Sequence, residues 1–131
     1  MKQEQASNPQ SLTVALLTVG IDHDVTEKIV QAATQHHWTL THDSFDEYVS
    51  AARRPAISGD TKGADAVLAI IDFDRDPKGA AETVAYFHQL FFGRFFAAAL
   101  SSGSDPDLLL TAMRAGCNEV LKNPLDPRQL A

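Results

Sequence analysis

Three short stretches constrain this chain more than anything else in it: "LTVALLTVG" at 12–20, "ADAVLAIID" at 64–72 and "RFFAAAL" at 94–100. Each is apolar at both alternating sets of positions, so as a strand it must be covered on both faces. Helical patterns lie between them. "DVTEKIVQAATQHH" puts Val25, Ile29, Val30 and Ala33 on one stripe, with Asp24 as the expected cap and Glu27 completing a capping box. "WTLTH" at 38–42 alternates as a short strand does. "SFDEYVSAARR" follows as a predicted helix, with Phe45 and Val49 on one face, and "RPAISGDTKG" reads as the longest loop.

After a second loop, "FDRDPKG", the stretch "AAETVAYFHQLFF" is a predicted helix. Beyond "SSGS", Asp105 is the expected cap of another helix, Pro106 sits in its first turn and Gly116 just past its end. "NEVL" closes the series as a last short strand. The order βαβαβαβαβ predicts an α/β fold, a doubly wound five-stranded parallel sheet in a flavodoxin-like three-layer sandwich. Ligand chemistry in such a sheet lies beyond the carboxyl ends of the strands, here residues 19–24, 72–74, 101–102 and 122–124. The sequence ends at "DPRQLA", so the fifth helix is expected to be truncated or missing, leaving an apolar face for a partner.

Length and charge narrow the function classes. The 131 residues suit one domain, 12–131, preceded by a disordered or extended tail, 1–11. Seventeen acidic against eleven basic side chains, a formal charge of −6, argue against nucleic-acid binding. The N-terminus lacks a signal-peptide h-region, and "LFFGRFFAAAL" is broken by Gly93 and Arg94, so no membrane insertion is expected. With Cys117 as the lone cysteine, a cytoplasmic location is the default. His23, His36, His37, His42 and His88 show no ligand spacing, and Cys117 reads as core filling. Tyr86, Phe87, Phe91, Phe92, Phe95 and Phe96 read as helix-and-strand core. No phosphate-binding glycine loop and no nucleophile elbow occurs, so no enzyme is expected.

"DPDLLLTAMRAGCNEVLKNPLDPRQL" resembles the fourth helix and fifth strand of CheY-like response-regulator receiver domains, and "VLAIIDFDRDP" resembles their third strand and phosphoacceptor loop. The phrases "DFDRDP" and "NPLDPRQL" look most like the receiver-like N-terminal domain of TadZ/CpaE-type pilus-assembly proteins. The resemblance implies a site of five parts. Two acids after strand one and the phosphoacceptor aspartate hold Mg²⁺, a hydroxyl after strand four bonds a phosphoryl oxygen, and a lysine after strand five pairs with its charge.

Carried over residue by residue, Asp72 takes the phosphoacceptor place and Ser101 the phosphoryl-binding hydroxyl place. Strand one ends in Val19-Gly20 rather than an acid pair; Asp22 and Asp24 follow slightly later, and Asp22 and Asp74 are the metal-ligand candidates. The lysine place holds Asn123, with Lys122 next door on the opposite strand face, and the aromatic of strand five is replaced by Val120. Asn123-Pro124 makes Pro124 a cis-proline candidate. Plainer readings stand beside these. Asp72 caps its own loop, Asp74 belongs to a solvated turn, Asp24 caps a helix, and Ser101 is a loop hydroxyl.

The expectation is a non-catalytic pseudo-receiver signalling through protein–protein contacts in Tad/Flp pilus assembly or localisation. Its partner surface, or a dimer contact, would lie in Asp105–Leu121. The resemblance also implies a ParA/MinD-like ATPase domain in a longer parent. The alternative is a phosphorylatable receiver in a two-component phosphorelay, with Asp72 as acceptor and Mg²⁺ as its only cofactor.

Overall fold

The structure is a computed structural model and describes residues 12–34, 38–50, 52, 54–102 and 106–122. In chain order the elements are β1 (Leu12–Val19), α1 (His23–Ala33), β2 (Trp38–Phe45), α2 (Gly59–Lys62), β3 (Ala66–Asp72), α3 (Pro77–Leu90), β4 (Phe95–Ser101), α4 (Pro106–Ala115) and β5 (Glu119–Lys122). The strands form one parallel sheet in the order β2-β1-β3-β4-β5. Chain order reverses after β2, so the switch point falls between β1 and β3, where β1 pairs Val19 with Ile71. A ligand crevice belongs there.

The apolar runs became the central strands because both of their faces are covered. On one face Leu17, Val19, Val67, Ala69 and Ile71 pack with Phe87 of α3 and Ala112 of α4. On the other, Leu16, Ile70 and Leu100 pack with Ile29 of α1. Phe87 is the hub of the first layer, with ring centroids 6.2 Å from Phe45, 6.0 Å from Phe91 and 5.8 Å from Phe95. Each such buried side chain contributes about 1.5–3 kcal/mol of transfer free energy.

Several expectations need correction. Among the described residues of 44–54 the foreseen helix is absent: Ser44 and Phe45 extend β2, and 46–49 are non-helical. Tertiary partners take that segment's polar groups, Tyr48 donating to the Asp72 carbonyl at 2.6 Å and the Val49 N–H donating to Thr83 Oγ1 at 3.0 Å. The second helix lies instead inside the stretch read as the longest loop, as the single turn of α2. Ser58 caps it by accepting from the Thr61 N–H, and Asp43 of β2 accepts from both hydroxyls.

The first helix starts one residue before Asp24, so Asp22 is its N-cap and Asp24 lies in its first turn. It ends at Ala33 with Thr34 as its C-cap, and residues 35–37 of the foreseen helix lie outside the described residues. Of the aromatic cluster, Phe87, Phe91 and Phe95 are core, but Phe92 is 90% exposed and Phe96 53% exposed. The tail 1–11, the Asp105 cap, Asn123, Pro124 and the place of a fifth helix lie outside the described residues.

Candidate functional site

At the switch point the carboxyl ends of β1, β3 and β4 surround a depression of about 270 Å³. Gly20, Ile21 and Asp22 line it from the end of β1, Asp72, Asp74 and Arg75 from the end of β3, and Leu100 from β4. Asp22 caps α1 through its backbone, its carbonyl accepting from the Thr26 N–H at 2.9 Å. Its carboxylate makes no capping bond. That leaves one acid from the β1 side at the rim.

Asp72 ends β3, and its Oδ1 accepts the Asp74 N–H at 2.9 Å. This hydrogen bond turns the chain back on itself, as a strand-end aspartate commonly does. The turn aims Asp74 across to the end of β4. There Asp74 Oδ1 accepts from the Ser101 hydroxyl at 2.7 Å. Its Oδ2 accepts from the Ser102 N–H at 2.7 Å and the Ser102 hydroxyl at 2.8 Å. Such short, charge-assisted bonds are the strong ones. Partial burial alone would raise the Asp74 carboxyl, but the bonds from Ser101 and Ser102 outweigh it and hold it below the usual carboxylate range. Ser101, itself buried, therefore has its hydroxyl turned to Asp74.

Arg75 was not singled out from sequence. Its Nη2 donates to the Asp46 carbonyl at 3.0 Å, and its guanidinium lies 5.1 Å from the Tyr48 ring centre. It reaches across Gly20, which has φ of +68°: a Cβ added there would lie 2.8 Å from Arg75 Nη2 and 3.6 Å from Asp72 Cβ. Only glycine gives both that backbone angle and that notch. Tyr48 completes the arrangement from below. Desolvation and the nearby Asp72 charge push its phenol up, with Arg75 opposing.

A divalent ion of the kind the resemblance implies does not fit this set. Both Asp74 oxygens are engaged by serine donors, the end of β1 offers a glycine notch occupied by a guanidinium, and Asp24 does not line the depression. Among the described residues, no three His, Cys, Asp or Glu side chains are grouped so as to hold a metal. Elsewhere, His42 receives or gives a hydrogen bond with the buried Thr18 at 3.1 Å. Burial lowers its imidazole, against a raising effect of Asp43. Burial pushes the Cys117 thiol up to about 12, in keeping with core filling. No described helix is long and apolar enough to cross a membrane.

In sequence, no family model and no curated protein matches the chain. Solved structures do match in shape. A protein ascribed to pilus assembly (CpaE) from Burkholderia thailandensis superposes with a TM-score of 0.66 at 18% identity, covering 91% of this chain and 92% of that one. A pilus assembly-related protein from Burkholderia pseudomallei gives 0.66 at 19%, with 92% and 85% covered. A response regulator from Thermotoga maritima gives 0.65 at 14%, with 91% and 92% covered. Strand order, helix placement and these neighbours agree: the chain has the CheY-like receiver fold, in an atypical form whose β1 acid-pair position is a glycine notch under an arginine.

Proposed function

We propose that this is a pseudo-receiver, a domain that keeps the receiver fold and works through protein–protein contacts in pilus assembly or localisation, without a phosphoryl cycle. The observation that carries it is the clasp of Asp74 on Ser101 and Ser102. The hydroxyl that would steady a phosphoryl oxygen is bonded to an anion of the chain's own. A phosphoryl group entering there meets a carboxylate, a like charge, in place of a donor. The sequence adds that the lysine position is Asn123. A charge-assisted hydrogen bond of roughly 1.5–3 kcal/mol is thereby exchanged for a neutral one of about 0.5–1.5 kcal/mol.

The contact surface in this reading includes α4. Leu110 and Met113, one helical turn apart, are 47% and 66% exposed, which supports a protein partner or a second copy on that helix. A phosphorylatable receiver is the competing reading, favoured by Asp72 and Asp22 lining one depression. Intact-mass measurement after incubation with acetyl phosphate and Mg²⁺ separates the two. Unchanged mass is expected; a phosphoryl increment that disappears in Asp72→Ala makes the domain a phosphorelay receiver.

A further inference from the structure

The sequence has Asn123 at the lysine position, yet the described pocket holds a cation of its own. Arg75 lines the same depression as Asp22, Asp72 and Asp74. Its place is set by contacts independent of those acids: the Asp46 carbonyl 3.0 Å from Nη2, the Tyr48 ring 5.1 Å from its centre, and the Gly20 notch. A Cβ at Gly20 would lie 2.8 Å from Arg75 Nη2, so a side chain there would push this flexible guanidinium end aside. The contacts also join three loops. Gly20 follows β1, Asp46 and Tyr48 follow β2, and Arg75 follows β3.

We propose that Arg75 is the pocket's resident cation: lying in the Gly20 notch, it compensates the neighbouring carboxylates, excludes divalent ions and holds these loops together without metal. A guanidinium suits this post because it stays charged and is planar enough to stack while donating sideways. The proposal rests on the pseudo-receiver reading of the same pocket. Its test uses a bare ion and no phosphodonor, so the two fail separately.

Mn²⁺ is titrated into the whole chain and the free ion is followed by its electron paramagnetic resonance signal. Weak binding is expected for the native protein. Arg75→Gln should tighten it on the order of tenfold, since a unit positive charge several ångströms from a divalent site weighs about that much in water. The gain should vanish in Arg75→Gln with Asp72→Asn, which locates it, and Arg75→Lys should stay at the native level. Arg75→Met, which keeps an apolar stem over Tyr48, serves the same comparison if the glutamine variant does not fold. The proposal is overturned by tight native binding, by a neutral variant within about twofold of native, by a gain that survives Asp72→Asn, or by the lysine variant behaving as the glutamine one.

Discussion

The hydroxyl of Thr83 stands among three backbone groups. It accepts from the Val49 N–H at 3.0 Å and lies within donating distance of the carbonyls of Val49, at 3.0 Å, and Gly79, at 3.1 Å. Thr83 is fully buried on α3, so this hydroxyl fixes the non-helical segment that carries Tyr48 to the Asp72 carbonyl. Thr83→Val keeps the shape and leaves the Val49 N–H without its acceptor. Chemical denaturation should register a loss of about 1–3 kcal/mol, with Thr83→Ser recovering most of it.

Asp74 gives a pH signature. Its folded-state value lies below the ordinary one, so its contribution is present above the unfolded value, near pH 4, and is lost as pH falls through the folded one. Melting temperature followed down from pH 6 should therefore drop more steeply below about pH 4 in the native protein than in Asp74→Asn. Equal acid limbs would mean that the serine clasp does not hold in solution.

Among the elements, β1, β3 and β4 were legible in the sequence because burial on both faces leaves a run with no polar alternate, and β2 because it alternates. The α3 and α4 patterns were legible for the opposite reason, a single apolar stripe with terminal signals such as Pro106 and Gly116, whose φ is +107°. The segment after β2 was not legible. Its local pattern favours a helix, but bonds from Tyr48 and Val49 to residues 24 and 34 positions away win over propensity. Half of the site was equally opaque. Asp72, Asp74, Ser101 and Asp22 were named from the resemblance to receiver domains, whereas Arg75 was missed because its meaning depends on Gly20 and Tyr48 arriving from two other loops. A glycine where an acid is expected was the one available hint. On α4, Leu110→Glu with Met113→Glu should change stability by no more than about 0.5 kcal/mol per site, as exposed positions do. The same pair should abolish association in sedimentation, with itself or with an isolated partner; retained association would remove α4 from the contact surface.

At the scale of the molecule, a parallel sheet with four helices among the described residues brings the carboxyl ends of β1, β3 and β4 to one depression, and in the proposed reading that depression is closed to a phosphoryl group from within. Asp74 accepts from Ser101 at the β4 end, Arg75 donates to the Asp46 carbonyl after β2, and the chain as a whole carries a formal charge of −6. That balance disfavours gathering more negative charge at the sheet's edge. Beryllofluoride with Mg²⁺, a stand-in for an aspartyl phosphate, is the most direct probe of this closure, read by backbone amide shifts in NMR. The amides of Asp72, Ser101 and α4 are expected to stay in place through the titration. Saturable shifts at Asp72 and Ser101 that are lost in Asp72→Asn would contradict it, because the pocket would then be accepting the group from which its own side chains are held to exclude it.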